Sequence, residues 1–241
     1  MPALEQTADM MRTILLAALA ACLAVLPAAA LTIRPDRDDA EYLELATRYP
    51  SAIALGAAGG GVLVNSRWVL TAAHRARPLK PRERLRIDAR DIEIAAVYLH
   101  PGWKSGAEND IALLLLKSEV LGIAATPVYR AGDENGKGAI VVGQGGGKKR
   151  AAINTVDRVA PLTLGLRLKP LDEASDLQGA LSAAETGAPL FVEIGGEILV
   201  AGVAHGTADG WETYARASAF GNWVEATMLE VARREAQELL E

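Results

Sequence analysis

Residues 60–74, Gly-Gly-Val-Leu-Val-Asn-Ser-Arg-Trp-Val-Leu-Thr-Ala-Ala-His, decide the fold of this chain. Two apolar runs, 62–64 and 68–70, flank Asn65-Ser66, a pair of residues typical of turns. The pattern predicts a β-hairpin. The second run ends in a short Ala-Ala-His turn, so His74 is expected where the strand leaves the core.

The rest of the chain keeps this β character almost to its end. Residues 111–116 form a continuous apolar run, as expected for a strand at the centre of a barrel. Gly195-Gly196 separates two further apolar runs and predicts another tight hairpin. The polar, glycine-rich segment 132–138 is the best boundary between two halves, and from Asn222 the apolar spacing becomes helical. An all-β fold with a C-terminal helix is therefore expected.

Composition limits the classes of function. Half of the 241 residues are hydrophobic, which is enough for a sizeable core. The net charge of -5 argues against a nucleic-acid partner, and the basic stretch 75–90 is predicted to be a solvated loop. The three histidines lie far apart in the sequence and Cys22 is the single cysteine, so no metal site and no cofactor are predicted.

Two further segments offer groups that could act together with His74. Asp110 directly precedes the apolar run 111–116, where a partly buried carboxylate needs hydrogen-bond partners. Thr186 carries a hydroxyl that becomes a nucleophile when a base takes its proton. The order His74, Asp110, Thr186 is the chain order of a chymotrypsin-like triad. The alternatives are a structural histidine and an aspartate that caps a turn.

These segments resemble the trypsin-like (S1 family) serine peptidases, of the bacterial secreted type, over roughly residues 42–233. The resemblance implies two chymotrypsin-like six-stranded antiparallel β-barrels, about 42–131 and 138–219, and a C-terminal helix at about 222–240. It implies that His74, Asp110 and Thr186 are catalytic, with Thr186 in the place of the usual serine. It also implies a monomer that takes a peptide or protein as its substrate or ligand.

The nucleophile segment departs from the family pattern Gly-Asp-Ser-Gly-Gly-Pro at four of its six positions. The resemblance assigns the oxyanion hole to Ala184 and Thr186, but Ala184 replaces a glycine. A positive φ there would add roughly 1–2 kcal/mol of strain. A flipped peptide would instead lose the donor, at about 10²–10³ in rate. Glu185 replaces an aspartate that the family buries against a new N-terminus after activation, and its extra methylene argues against the same arrangement.

The resemblance also outlines a substrate pocket, formed by Ala180, Ala204, His205, Gly206 and Glu212. Ala180 lies six residues before Thr186, at the base of the pocket, so this position implies no preference for lysine or arginine. Glu212 either supplies a charge to the pocket or faces solvent. His205 stands where the family has a tryptophan, and it either binds the substrate backbone or packs.

The N-terminal segment predicts export. Met10-Met11-Arg12 precedes the apolar run 13–26, and Ala28-Ala29-Ala30 resembles a signal-peptide cleavage site. We therefore expect a signal peptide over residues 1–30 and a secreted or periplasmic domain over 31–241. Alternatively, Leu19-Ala20-Ala21-Cys22 matches a lipobox, in which case a lipid on Cys22 would anchor the protein to a membrane.

Three hypotheses for the function remain open from the sequence. The first is a secreted peptidase that uses Thr186, with weak activity. The second is a pseudopeptidase that binds peptides or a protein partner in the same cleft. The third is an envelope-anchored structural or adhesion protein, which requires lipid on Cys22.

Overall fold

The computed structural model describes residues 31–56 and 59–241, so the predicted signal peptide and Cys22 lie outside the described residues. Within these ranges no helix is long and apolar enough to cross a membrane. The described α-helices are α1 (Asp39–Ala46), α2 (Ala73–Ala76) and α3 (Ala217–Glu238). The described strands are β1 (Thr32–Ile33), β2 (Ala52–Ala54), β3 (Gly60–Asn65), β4 (Trp68–Thr71), β5 (Arg84–Ile87), β6 (Arg90–Leu99), β7 (Ala112–Leu116), β8 (Gly138–Gly143), β9 (Arg150–Thr155), β10 (Arg158–Val159), β11 (Thr163–Leu166), β12 (Gly179–Ala180), β13 (Pro189–Ile194), β14 (Glu197–Ala208) and β15 (Trp211–Arg216).

The first large sheet contains the predicted hairpin. Its strand order is β2-β3-β4-β7-β6-β5, and all neighbours are antiparallel. Strands β3 and β4 pair with Val62 opposite Leu70, as the alternating apolar runs require. The continuous apolar strand β7 is buried along its whole length, because it lies between β4 and β6 and faces two apolar layers.

The second large sheet has the order β10-β11-β15-β14-β13-β8-β9. It has one strand more than the six expected, because the two-residue strand β10 extends the edge beside β11. The glycine pair Gly195-Gly196 has positive φ at both positions and joins β13 to β14, as predicted for a tight hairpin. A separate two-stranded sheet pairs β1 with β12.

Two helices cover the ends of this β structure. Helix α3 begins at Ala217, five residues before the predicted Asn222, because the chain turns helical immediately after β15. It buries Phe220, Val224 and Val231 against the core that the two large sheets share. Helix α1 is capped by Asp38 and places Tyr42 in the core of the second sheet, where the Tyr42 hydroxyl donates to the Gln178 carbonyl at 3.0 Å.

The architecture is thus mostly β, with two curled antiparallel sheets and a C-terminal helix. It is consistent with the chymotrypsin-like double barrel, so the predicted fold class is confirmed. His74 lies in helix α2, directly after β4, and Thr186 lies in the loop before β13. The site is therefore built where elements of both sheets meet.

Candidate active site

The first sheet holds His74 and Asp110 together. His74 lies in the short helix α2, where its backbone N–H donates to Asp110 Oδ1 at 2.8 Å and its ring Nδ1 lies 2.7 Å from Asp110 Oδ2. Asn109 has a left-handed backbone with φ 58°, a conformation that asparagine tolerates better than most residues. This turn directs the Asp110 carboxylate toward α2 rather than into the barrel.

The Asp110 carboxylate is fully buried yet ionised. Burial by itself would raise its pKa, but hydrogen bonds from His205, the His74 ring and the His74 backbone outweigh this effect. The net result lowers the pKa of Asp110 to about 2. A carboxylate held in this way fixes the orientation of the imidazole and can stabilise an imidazolium.

Thr186 completes the hydrogen-bonded series. Its Oγ1 lies 3.0 Å from His74 Nε2, within the distance that a general base requires. Gly187 follows with φ 85°, and a Cβ at this position would lie 2.5 Å from both the Gly60 carbonyl and Thr71 Oγ1. The glycine is therefore needed for the turn that brings Thr186 to His74. The structure joins the three predicted residues in one site.

His205 takes a position that neither sequence interpretation anticipated. The pairing of β14 with β15 shifts register between Ala204 and Gly206, so His205 lies on a β-bulge. Bulges redirect side chains, and here His205 Nδ1 lies 2.5 Å from Asp110 Oδ2. Two imidazoles therefore share one carboxylate, with their ring centroids 5.5 Å apart.

The same three side chains place their ligand atoms within 4.8 Å of one another, although they are distant in the sequence. The Nδ1–Oδ2 separations of 2.7 and 2.5 Å are hydrogen-bond distances. Ligands about 2.0–2.1 Å from one tetrahedral ion would lie about 3.3 Å apart. The contacts among the three side chains are therefore hydrogen bonds, an arrangement that suits proton transfer.

The turn that precedes Thr186 is tightly closed by Glu185. Its Oε2 accepts from both the backbone N–H and the hydroxyl of Ser182, each at 2.9 Å, and its Oε1 accepts from the Gly145 N–H at 2.7 Å. This forms a capping box around the 3₁₀ turn Ala183–Glu185. The extra methylene of glutamate lets the carboxylate reach back to its own turn, and a Cβ on Gly143 would lie only 2.2 Å from Oε1.

The 3₁₀ turn fixes the peptide between Ala183 and Ala184. The Ala183 carbonyl accepts a hydrogen bond from Arg75 Nη2 at 2.7 Å, on the side of the turn where Arg75 also meets Thr186. In a trans peptide the C=O and N–H point in opposite directions, so the Ala184 N–H faces away from Arg75. Ala184 has no positive φ, so the flipped alternative is the one adopted. The assignment of Ala184 to an oxyanion hole stays a prediction that needs this peptide to rotate.

The predicted pocket residues divide between two neighbouring cavities. Ala204, Gly206, Glu212 and Thr186 line a space of about 10 Å³, close to the minimum of about 10–15 Å³ that holds one water. Ala180 lines a second cavity of about 330 Å³, which Glu212 also borders. His205 contributes to neither of these linings, because its ring is directed at Asp110.

Glu212 is buried at the floor of the small space and does not face solvent. Its carboxylate accepts from the Tyr214 hydroxyl at 2.8 Å and from the Leu181 N–H. Burial raises the pKa of Glu212 to about 7, although both hydrogen bonds oppose the shift, and the nearby Glu185 charge adds to it. The pocket floor therefore carries a carboxyl group that changes charge near neutral pH.

Comparison with known proteins identifies the family of the chain. Residues 45–163 match the Trypsin family. The chain is also similar to the venom peptide isomerase heavy chain of Agelenopsis aperta, with 30% identity over 215 residues that cover 70% of this chain and 87% of that protein. The chain therefore belongs to the trypsin-like (S1) family.

Two functional features escaped the sequence reasoning. The bulge that turns His205 toward Asp110 has no local sequence signal apart from Gly206, which follows it. The sequence predicts a solvated loop over the basic stretch 75–90, but the Arg75 guanidinium donates to Thr186 Oγ1 at 2.5 Å and to the Ala183 carbonyl. The one signal in the sequence is its position directly after His74, which places both residues in helix α2.

Proposed function

We propose that this protein is a secreted trypsin-like endopeptidase that hydrolyses peptide bonds through His74, Asp110 and Thr186. The observation that carries the proposal is the continuous hydrogen-bond series from Thr186 Oγ1 to His74 Nε2 and from His74 Nδ1 to Asp110 Oδ2. Nucleophile, base and orienting carboxylate have the distances that this chemistry needs. The relative named above is called a peptide isomerase, which is compatible with a cleft that accepts peptides.

The mechanism follows from these contacts. Thr186 Oγ1 attacks the scissile carbonyl carbon while His74 Nε2 takes its proton, and Asp110 stabilises the imidazolium. His74 then returns the proton to the leaving amine as the carbon–nitrogen bond breaks. A water molecule next attacks the ester on Thr186, with His74 again as base, which releases the acid and restores the hydroxyl.

The position of the Thr186 methyl indicates why the activity is expected to be weak. A Cβ on Gly206 would lie 3.9 Å from Thr186 Cγ2, so the methyl points to β14, where the substrate backbone is expected. It therefore narrows the approach of the carbonyl carbon. A displacement near 1 Å at this point can reduce the rate by about 10²-fold.

A second candidate function is peptide binding without cleavage. The observation that favours it is the Ala183 carbonyl, which takes the place where the reaction needs an N–H donor. The closed pocket beside Thr186 points the same way. In this form the cleft would hold a peptide or a protein partner while the triad remains idle.

The two candidates are separated by hydrolysis of a mixed peptide library, with products identified by mass spectrometry. Wild type, Thr186→Ala and Thr186→Ser would be compared, with the exposed Thr47→Ala as the matched control. Wild-type turnover that disappears only in Thr186→Ala supports the peptidase, and about tenfold faster turnover in Thr186→Ser would identify the methyl as the obstacle. Equal background in wild type and Thr186→Ala supports the binding function.

Export is the remaining part of the proposal. Cleavage after Ala30 would leave a chain that begins at Leu31 and contains no cysteine. The intact mass of protein recovered from the envelope or medium tests this. A mass that includes Cys22 with attached lipid would replace secretion by membrane anchoring.

A further inference from the structure

Arg75 is a half-buried cation without a carboxylate partner among residues 31–56 and 59–241. Its Nε donates to Thr186 Oγ1 at 2.5 Å and its Nη2 donates to the Ala183 carbonyl at 2.7 Å, and both acceptors are uncharged. A guanidinium has five N–H donors in a planar fork that matches a carboxylate. The other partly buried arginines near the second sheet, Arg150 and Arg216, each face a carboxylate.

Arg75 lies on the hydroxyl side of Thr186, opposite the Thr186 methyl. The Thr186 methyl points toward Gly206 on β14, the strand that also borders the small pocket with Ala204. Thr186 Oγ1 points the other way, toward His74 and Arg75. A substrate that extends along β14 up to Thr186 therefore leaves Arg75 on the side of its departing half.

A cavity of about 310 Å³ lies on this same side and would receive that half. It is lined by Gly59, Gly60, Ala184 and the glycine-rich turn 145–147, among other residues. A Cβ on Gly59 would lie 3.3 Å from Arg75 Nε, so the guanidinium adjoins a residue that lines the cavity, although Arg75 is not itself part of the lining. Glu185 is its one acidic lining residue, and its carboxylate is already bound by Ser182 and Gly145.

We propose that the Arg75 guanidinium is a carboxylate-binding site on the leaving-group side of Thr186, and that Thr186 Oγ1 and the Ala183 carbonyl occupy it until a carboxylate arrives. The carboxylate belongs either to an aspartate or glutamate side chain or to the C-terminus of a peptide. The proposal rests on the proposed function only in taking the cleft to hold a peptide.

The exchange of partners is favoured by charge. A hydrogen bond between ionised groups is shorter and roughly twice as strong as one to a neutral oxygen. A carboxylate would therefore draw Arg75 away from Thr186 Oγ1 and from the Ala183 carbonyl. The peptide before Ala184 then loses the partner that holds its carbonyl toward the cleft, so ligand binding also removes one restraint on the nucleophile turn.

The test measures binding, so it does not depend on hydrolysis. The Arg75 Nε–H resonance, assigned by its loss in Arg75→Gln, would be followed by NMR during titration with four probes. N-acetylaspartate α-amide and N-acetylalanine present a side-chain and a terminal carboxylate, and N-acetylasparagine amide and N-acetylalanine amide are their neutral partners. Arg77→Gln is the matched control, because Arg77 is exposed and lies two residues further along the chain.

We expect at least one acid to bind about fivefold more tightly than its neutral partner, a modest value for a half-exposed ion pair. Arg75→Gln should abolish this difference, Arg75→Lys should keep part of it, and Arg77→Gln should keep all of it. Preference for the aspartate probe identifies side-chain carboxylates, and preference for acetylalanine identifies peptide C-termini. Equal binding of acids and neutral partners, or equal loss in Arg75→Gln and Arg77→Gln, would overturn the proposal.

Hydrolysis provides a separate outcome. If the library is cleaved, cleaved peptides should be enriched about fivefold in those whose residue directly after the cleaved bond is an aspartate or glutamate, or is the free C-terminal residue. Arg75→Gln should remove that enrichment. Cleavage without it would overturn this inference and leave the peptidase intact. Acid binding without cleavage would support the inference and favour the binding function.

Discussion

The two sides of this site differ in how well their hydrogen bonds suit catalysis. The base side consists of His74 and Asp110, and the nucleophile side is the turn 182–186. His74 and Asp110 both lie next to strands of the first sheet. The Asp110 carboxylate is hydrogen-bonded to the rings of His74 and His205 and to the His74 backbone N–H. The turn 182–186 has as many hydrogen bonds, but they have a different effect. Ser182 donates to the Glu185 carboxylate, which closes the turn, and Arg75 donates to the Ala183 carbonyl, which holds that carbonyl toward the cleft. Good local hydrogen bonding is therefore not the same as catalytic geometry.

The difference lies in what each side needs from the backbone. The base side is formed at the ends of two ordinary strands, β4 and β7, and needs one left-handed residue, Asn109, whose type tolerates that conformation. The nucleophile turn needs a peptide orientation that glycine reaches more easily than alanine. With Ala184 and Glu185 in place, a capped 3₁₀ turn becomes the stable local structure.

The largest expected effect breaks the base side. Asp110→Asn presents an amide to His74 Nδ1 and favours the wrong tautomer, so hydrolysis should fall about 10³–10⁴-fold while the fold persists. Rates on the peptide library and the circular dichroism spectrum would be compared with those of Asp91→Asn, an exposed aspartate paired with Arg86. Unchanged hydrolysis in Asp110→Asn would mean that any activity arises outside this dyad.

The second effect repairs the nucleophile side. Ala184→Gly gives the peptide before residue 184 more rotational freedom, so the N–H can turn toward the substrate, and hydrolysis should rise about 10²-fold. Combination with Thr186→Ser should be non-additive, because the two residues share one turn. Ala124→Gly, at an exposed alanine outside the 3₁₀ turn and outside the predicted pocket, is the control. No gain in the single or the double variant would place the obstacle in Glu185 or Arg75 instead.

Much of the fold and of the site could be predicted because its determinants are local. The run 60–74 contains a hairpin, a turn and the histidine in one continuous stretch, and the strand 112–116 begins two residues after Asp110. Gly195-Gly196 likewise identifies its own turn. Each of these features depends on residues adjacent in the chain.

The features that escaped prediction depend on residues that meet only in the folded chain. His205 reaches Asp110 across 95 positions, and Arg75 reaches Ala183 across 108. Whether Glu212 faces solvent depends on Tyr214 and Leu181, whose donors turn its carboxylate inward. Register shifts and peptide orientations of this kind leave no periodic pattern in the sequence.

The third effect concerns the pocket floor. Burial raises the pKa of Glu212 to about 7 from an ordinary value near 4.5, so the folded state holds the proton more tightly. The stability present below about pH 4.5 should therefore be lost as pH rises through about 7, by about 3 kcal/mol on the scale of 1.36 kcal/mol per pKa unit. Urea unfolding at pH 5 and pH 8 should show this loss in the free energy of unfolding both in wild type and in the exposed control Glu197→Gln. An equally large difference between pH 5 and pH 8 in Glu212→Gln would show that another group causes the loss of stability.

The smallest effect tests whether His205 belongs to the base side. Its hydrogen bond lowers the pKa of Asp110, so His205→Ala should move that pKa upward from about 2. A depressed carboxyl pKa stabilises the fold above the unfolded value of about 3.9, and this contribution is lost as pH falls through the folded value. The variant should therefore be less stable than wild type by an extra amount of about 1 kcal/mol at pH 5, and that extra amount should shrink as pH falls through about 2 and vanish near pH 1. Val231→Ala removes a buried side chain without a titratable group, so its deficit should not change over this range. If the loss of unfolding free energy in His205→Ala is equally independent of pH, the His205 ring merely packs. His74 would then be the histidine that acts on Asp110.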